Sequence, residues 1–456
     1  MKKSFDITRA SKASILTFGC QMNVHDSERM GSLLESNGFV LSDSYDDVGL
    51  IIINTCSVRE KPEEKLSSFL DHIRGLKRKN PKLIVAVAGC VAQQKGEWIM
   101  NKFPFVDVVI GPDGIDKLLE HIKDARSKEN KIIDTDFIDE ISYSHTLLTH
   151  SGISKAHAYV TAMKGCNNFC SYCIVPYVRG PEKSRSIEEI KKDVEELISK
   201  GVSSITVLGQ NIARFGLENN EDLPTLLRTI GDIKGLRRLS FMTSHPRDFN
   251  DHIIKCFEEI KVLSPVLHLP AQHGSNKILK EMNRGYTREQ YLGIINKLKA
   301  SKIWDQLVIT TDIIIGFPGE EDKDYDDLMS LLKEVRYDNS FSFIYSPRPG
   351  TKAYEKYGAV ANAELRQIYV DRLMQYQDVQ KQIALEKNTK MVGKAIEVLV
   401  EGASSKDPQR LSSRTSGGKV VNFDISQKQT IDTGDYVMVN ITKAYPTHLK
   451  GELFND

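Results

Sequence analysis

The sequence predicts a three-part, mostly α/β protein: a doubly wound parallel N-terminal domain, a partial (β/α)6 barrel and a C-terminal small β-barrel. Three observations carry this prediction. Short apolar runs alternate with helix-period stretches from Ser14 to Ile110. After a polar interval the alternation resumes at His157 with six further runs. Beyond Asn388 the helical period gives way to short β-type runs punctuated by Gly, Ser and Asp. At 456 residues the chain is also too long for one ordinary core.

The first strands are expected at Ser14–Phe18, Leu50–Asn54, Leu83–Ala88 and Val106–Ile110, with helices at Asp26–Ser36, Glu60–Arg78 and Gln93–Lys102. Such alternation gives a parallel sheet with crossover helices. The stretch Asp124–Ala156 is polar and irregular and reads as a linker. The next six strands are expected at Tyr159–Met163, Ser204–Leu208, Arg238–Thr243, Val266–Leu269, Val308–Ile315 and Ser340–Tyr345. Helices fit Ser186–Lys200, Leu223–Ile233, Asp248–Glu259, Arg288–Ala300 and Lys323–Val335. Six units in about 190 residues make an incomplete barrel, since eight take about 250. A helix over Ala363–Asn388 leads to strands at Lys394–Glu401, Lys419–Phe423 and Asp435–Thr442, a texture that suits a small β-barrel. The expected domains are 1–150, 151–385 and 386–456.

Composition narrows the function classes. With 40% hydrophobic and 27% charged residues the chain reads as soluble and globular. No run approaches the roughly 20 apolar residues of a membrane span. Met1–Ala10 lacks the apolar centre of a secretory signal, so a cytoplasmic location is expected. The 62 basic and 61 acidic side chains create no global field, so a polyanion would need a local patch.

Seven cysteines in a reducing compartment point to metal or redox chemistry. GCNNFCSYC places Cys166, Cys170 and Cys173 on one loop after the first barrel strand. Three thiolates there can hold three irons of a 4Fe–4S cluster and leave the fourth open, because a fully ligated cluster uses four cysteines. Zinc would want a fourth nearby ligand, and a redox pair would use only two thiols. Cys20, Cys56 and Cys90 each end an N-terminal strand, in TFGC, NTC and AGC. Carboxyl ends of neighbouring parallel strands lie side by side, so these three can meet around a second cluster. Three buried strand-end thiols are the plain alternative. Cys256, alone in a helical pattern, reads as a packed core thiol.

At GCNNFCSYC the chain resembles the radical S-adenosylmethionine (SAM) enzymes. TFGCQMNVHDSE, NTCSVREK and AGCVAQQ narrow the likeness to the methylthiotransferases. GCQMN with NTCSVRE looks most like the members acting on a prenylated adenosine of tRNA. The resemblance runs from Thr17 to Gly451. It implies two 4Fe–4S clusters, on Cys166, Cys170 and Cys173 and on Cys20, Cys56 and Cys90. It implies that SAM serves once as radical source and once as methyl donor, while the N-terminal cluster supplies sulfur to carbon 2 of the base. Tyr172 is expected against the adenine of SAM, and Asn211, His245, Gln272 and Asp312 on its ribose or methionyl part. His273 stands where the resemblance implies a small residue. The tail resembles a TRAM domain, an RNA-binding barrel, with Lys406, Arg410, Arg414 and Lys419 as the candidate phosphate contacts. From Glu386 to Asp456 that tail carries ten basic and nine acidic residues, so the contact must be local. Arg179, Arg185 and Arg284 are further candidates for phosphate. The implied partners are a tRNA anticodon stem-loop carrying prenylated adenosine and an electron-donor protein such as a flavodoxin-type reductant. The alternatives are a methylthiotransferase for another tRNA adenosine or a ribosomal protein, and a noncatalytic Fe–S or RNA-binding protein.

Overall fold

Every residue of Leu50–Thr55 and Ile84–Gly89 is buried, which a strand achieves only when both faces of its sheet are covered. These are the central strands β3 and β4 of a six-stranded parallel sheet in the computed structural model. The described residues are 12–57, 60–128, 130–138, 154–359, 363–404, 407–424 and 430–454. The chain divides into two compact units. One comprises Met1–Ile153, Lys164–Asn167 and Cys173–Lys183, the other Ser154–Met163, Asn168–Tyr172 and Ser184–Asp456.

In the first unit β1 (Lys12–Phe18), β2 (Val40–Leu41), β5 (Val108–Ile110) and β6 (Ile132–Asp134) complete the sheet, in the order β2-β1-β3-β4-β5-β6. Side chains alternate between two cores. Ile51, Ile53, Val85 and Val87 pack with Leu66, Leu70 and Ile73 of α2 (Glu60–Lys79) and with Ile99 of α3 (Cys90–Lys102). Leu50, Ile52, Ala86 and Ala88 pack with Met30 and Leu34 of α1 (Gln21–Glu35) and with Leu118 and Ile122 of α4 (Leu118–Lys128). The strand order reverses at β1, so the carboxyl edge of β1 and β3 is the switch point where such sheets bind ligands.

Two expectations are corrected here. The polar stretch beginning at Asp124 is not wholly irregular: α4 runs through it to Lys128, and Ile132–Asp134 adds a sixth strand. Ala125 reaches the core while its neighbours stay wet, a spacing too sparse to read as a period. Residues 139–153 of that linker lie outside the described residues. Helices α1 and α3 also begin several residues before the first apolar repeat, directly after Cys20 and at Cys90.

In the second unit Arg238–Met242, Ser204–Leu208 and Ala158–Thr161 form one parallel sheet. Val266–His268, Val308–Ile315 and Asn339–Ile344 form another. Leu239 and Leu263 bridge the two, with Leu239 N–H donating to the Val262 carbonyl at 2.7 Å. Beyond that bridge Val266 N–H turns back to the Ser264 carbonyl at 2.7 Å instead of continuing the ladder, and the six strands divide into three and three. The tail closes into a five-stranded barrel, where three strands were expected. The missed strands, Asp407–Thr415 and Leu449–Leu453, are too polar to signal themselves. Ser413 turns inward and satisfies its hydroxyl on the Val421 carbonyl at 2.8 Å, beside Val398, Val400, Phe423 and Ile441.

Candidate functional site

Three turns bring Cys20, Cys56 and Cys90 to the carboxyl edge of the first sheet. Two asparagines lock them. Asn23 donates to Asn54 Oδ1 at 3.0 Å, and Asn54 donates back to the Asn23 carbonyl at 2.8 Å and to Ser27 Oγ at 2.9 Å. The Cys20 thiol points at Asn23 Oδ1, 3.4 Å away. These are the asparagines of GCQMN and NTC, so the spacing of both motifs follows from this interlock. Two glycines make it possible. A Cβ at Gly19 would sit 2.6 Å from Asn23 Oδ1, and one at Gly89, where φ is +91°, would sit 2.3 Å from Asn54 Oδ1.

The thiols are close enough to share protons. Hydrogen bonds to Cys20 and Cys90 raise the Cys56 thiol well above its usual range. Hydrogen bonding from Cys56, with the Arg179 charge assisting, brings Cys20 down to about 6 and Cys90 to about 7. Two of the three thus ionise readily, and the thiolate is the form that binds iron. Among the described residues no three His, Cys, Asp or Glu side chains close about one point, as ligands of a lone ion must. Three thiolates also suit a cluster that keeps one iron open, each ligating a different iron. Arg179 lies buried beside them: its Nε donates to Cys90 Sγ at 3.2 Å and its Nη1 pairs with Asp26 Oδ2 at 2.8 Å.

The second cysteine set begins at Gly165, where φ is +78° and a Cβ would meet the Pro181 carbonyl at 1.9 Å. Cys166 N–H donates to the Gly180 carbonyl at 3.2 Å. Within the second unit, the backbone around Cys170 is tied to the segment 281–284. Ser171 N–H donates to the Met282 carbonyl at 2.9 Å, Ser171 Oγ to the Glu281 carbonyl at 2.8 Å, and Asn283 to the Phe169 carbonyl at 2.9 Å. Arg284 completes the tie, donating to Cys170 Sγ at 3.2 Å, the Pro270 carbonyl at 2.8 Å and the Tyr286 hydroxyl at 3.2 Å. His245 faces the same sulfur, with Nε2 4.0 Å away. Its Nδ1 accepts from Arg247 N–H at 3.2 Å, which places the ring proton on Nε2. Burial, then the charges of Arg284 and Arg247, hold this imidazole neutral down to about pH 2.

The arginines read as phosphate contacts are all buried and donate inside the protein. Arg185 reaches the Thr161 carbonyl and Asp193, at 3.2 and 2.8 Å. Neither this residue nor Arg179 or Arg284 presents its guanidinium to solvent. The sulfur partners, Cys90 for Arg179 and Cys170 for Arg284, lie 89 and 114 positions away, which no local pattern reveals.

The residues expected around SAM are distributed as follows. Asn211 accepts the His245 backbone N–H at 2.9 Å and donates to Asp248 at 2.7 Å. Gln272 has φ of +66° and bridges to Ile313 through its backbone. Asp312 lies within its strand, 3.2 Å from His268 Nε2. Tyr172 packs on Ile278, Met282, Phe317 and Ala353. Their neighbours in the same motifs carry a further signal. Gln210 Oε1 and Ser244 Oγ are buried and have no hydrogen-bond partner among the described residues. Both follow carboxyl strand ends, so they fit a polar ligand such as SAM. His273 is fully buried against Glu320 at 3.2 Å, and Glu320 in turn pairs with Arg372 at 2.7 Å. Cys256 is buried in its helix and donates to the His252 carbonyl at 3.3 Å.

On the barrel, Arg410 pairs with Asp424 at 2.7 Å, and Arg414 grips Glu401 with two bonds of 2.7 and 3.1 Å. Lys419 is tied to Asp338 at 3.0 Å and Asn388 at 2.8 Å. Lys406 lies outside the described residues. Among the described residues no helix is long and apolar enough to cross a membrane.

Comparison with known proteins adds to this geometry. Residues 12–111 match the model of uncharacterized protein family UPF0004, 160–332 the radical SAM superfamily and 389–454 the TRAM domain. The chain is 42% identical over 451 residues to the tRNA-2-methylthio-N(6)-dimethylallyladenosine synthase of Clostridium botulinum, covering 98% of each chain. It is 42% identical over 453 residues to that of Clostridium perfringens, covering 96% of this chain and 97% of the relative. Among solved structures it is similar in fold to the radical SAM methyltransferase TsrM from Kitasatospora setae. There the TM-score is 0.56 at 14% identity, over 75% of this chain and 77% of that one. Likeness of this extent to relatives matched end to end settles kinship: the chain belongs to the tRNA-2-methylthio-N(6)-dimethylallyladenosine synthases, which are radical SAM methylthiotransferases.

Proposed function

We propose that the chain places a methylthio group on carbon 2 of N6-dimethylallyladenosine beside the anticodon of tRNA. SAM serves as both methyl donor and radical source, and [4Fe–4S] clusters are the resident cofactors. The observation that carries this reading is the meeting of Cys20, Cys56 and Cys90 at one sheet edge of a chain that also bears the CxxxCxxC triplet. When bound, the cluster on Cys166, Cys170 and Cys173 supplies radical chemistry with SAM, and the one on Cys20, Cys56 and Cys90 supplies sulfur.

The chain's own groups then have separate tasks. Arg284 and the neutral His245 direct hydrogens at Cys170 Sγ. Gln210 and Ser244 join Tyr172, Asn211, His245, Gln272 and Asp312 in holding SAM. In this division 1–150 delivers sulfur, 151–385 cleaves SAM and 386–456 holds tRNA. Arg410 and Arg414 are the phosphate contacts best supported, because exchanging an exposed ion pair for a phosphate costs little. Lys419, tied to the largely buried Asp338, is less free to exchange. A flavodoxin-type protein supplies electrons, and the reaction takes place in the cytoplasm.

Mass spectrometry of tRNA from a deletion strain tests the assignment. Prenylated adenosine should accumulate without its methylthio group, and persistence of the modified base in a strain with no second enzyme would exclude it. Reconstituted protein given reductant and SAM should release 5′-deoxyadenosine and methionine, whereas a noncatalytic carrier yields neither above background.

A further inference from the structure

We propose that Phe341 receives the dimethylallyl group of the substrate base and so distinguishes prenylated from unmodified adenosine. The inference deepens the tRNA reading above and rests on it. Phe341 lies in the strand Asn339–Ile344, in register with Asp312 of Val308–Ile315. Side chains alternate along a strand, and residues paired in register share a face. One face of Asn339–Ile344 belongs to the helix Ala363–Thr389: Tyr376 donates to Ser340 Oγ at 3.0 Å and Gln377 to Ser342 Oγ at 3.3 Å. Phe341 is therefore on the other face, the inner one, with Asp312. There its ring meets that of His268 edge-on, with centroids 6.2 Å apart.

The inner face of such a barrel is normally filled by packed side chains. Here Phe341 is 42% exposed, and the Asp312 side chain beside it 30%. Topology explains the exposure. Among the described residues Asn339–Ile344 pairs only with Val308–Ile315, and Ala158–Thr161 only with Ser204–Leu208, so the first and last strands do not close on each other. A phenyl ring left bare on that face gains by covering its area with an apolar group. The reaction brings two molecules there. SAM, held in part at Asp312, is charged and polar. The base must come within reach of the radical that SAM supplies, which places it beside Asp312 and hence beside Phe341. Its apolar part is the N6 substituent, a branched alkenyl chain with no hydrogen-bonding atom. A phenyl ring gives that chain dispersion contact and buried area, and gives the bare amino group of unmodified adenosine far less.

The test uses the full chain with both clusters reconstituted, and two anticodon stem-loops that differ only in carrying N6-dimethylallyladenosine or adenosine. Fluorescence anisotropy with SAM and no reductant reads the affinity for each. Mass spectrometry after adding reductant reads the methylthio product, and its rate against SAM concentration gives the KM for SAM. Wild type should prefer the prenylated stem-loop, and equal affinity for the two overturns the proposal. Phe341→Ala should cut that preference tenfold or more, weakening the prenylated complex while the unmodified one stays within about twofold. Phe341→Leu, which keeps apolar area but loses the ring, should fall between that variant and wild type. If Phe341→Ala takes up too little iron to test, Phe341→Gln, polar and of similar reach, decides in its place. A preference that survives the substitution, or equal weakening of both complexes, overturns the role of Phe341. A raised KM for SAM with the preference intact gives the ring to SAM and overturns it too. Wild-type protein that makes no methylthio product from the prenylated stem-loop overturns the tRNA reading itself, an outcome separate from any result with the variants.

Discussion

Two arginines 105 positions apart do the same thing in different electrostatic company. Arg179 and Arg284 are both buried, and each donates to one cysteine sulfur at 3.2 Å. Arg179 shares its charge with Asp26. Arg284's further hydrogen bonds among the described residues go to the Tyr286 hydroxyl and the Pro270 carbonyl. The first cysteine set thus lies beside an ion pair, and Cys170 beside a cation with no carboxylate among its hydrogen-bond partners in the described residues. Cluster potentials respond to net charge and to hydrogen bonds on the ligand sulfurs. In the proposed division of labour the same side chain then serves a sulfur-carrying site and an electron-accepting one.

The comparison breaks most directly at the cysteines. Cys170→Ala should abolish SAM cleavage, while Cys56→Ala should keep cleavage and lose the methylthio product. Chromatography of 5′-deoxyadenosine and mass spectrometry of the nucleoside read the two outcomes, and equal loss of cleavage would end the separation of roles. The arginines come next. Arg284→Gln should lower the potential of its cluster by more than Arg179→Gln lowers that of the other, because only the former removes an uncompensated charge. A charged hydrogen bond contributes about 1.5–3 kcal/mol, equivalent to about 60–130 mV for one electron. Equal shifts would show that Asp26 provides no offset.

This contrast was partly legible in the sequence. Strand-end placement brought Cys20, Cys56 and Cys90 together correctly, because neighbouring parallel strands end side by side and the apolar runs of β3 and β4 are unmistakable. The arginines were misread. Arg179 sits one residue before Gly180, and Arg284 sits in NRGY; both look like loop cations, and only tertiary packing reveals a sulfur as their partner. In LGQN and TSHP the sequence points to Asn211 and His245, yet the unpartnered buried oxygens belong to Gln210 and Ser244 beside them. Sequence carries motif position well, but which of two adjacent side chains turns toward the ligand is set by the backbone.

The first unit holds one more buried charge problem, and it has a pH signature. Glu28, two residues beyond Asp26, has a buried Oε2 with no hydrogen-bond partner among the described residues, and burial raises its carboxyl to about 7. Below about pH 4.5 folded and unfolded chains both keep this proton, and Glu28 costs nothing. From there to about pH 7 the unfolded chain releases it while the folded one retains it, so stability falls as pH rises and then levels. Glu28→Gln should remove that slope and stabilise the protein at pH 8 by at most about 3 kcal/mol. Melting temperatures across this range check it. An unchanged profile would mean that Glu28 is already charged in the folded chain.

The smallest effect separates two cations of the barrel along the same line, charge held at the surface against charge held inside. Arg414 and its partner Glu401 are partly exposed, 44% and 29%, whereas Lys419 and Asp338 are 16% and 7% exposed. An exposed pair is worth only about 0–1 kcal/mol, so a phosphate can take the place of Glu401 at little cost. Lys419 would have to leave Asp338 and Asn388 inside the protein. Arg414→Ala should therefore weaken tRNA binding a few-fold and reduce the steepness of its salt dependence by about one ion. Lys419→Ala should instead lower the melting temperature and leave the salt dependence as it was. If the lysine variant loses the salt-dependent contact and the arginine variant does not, the inner ion pair is the one that opens, and the RNA lies across the seam where Lys419 meets Asp338.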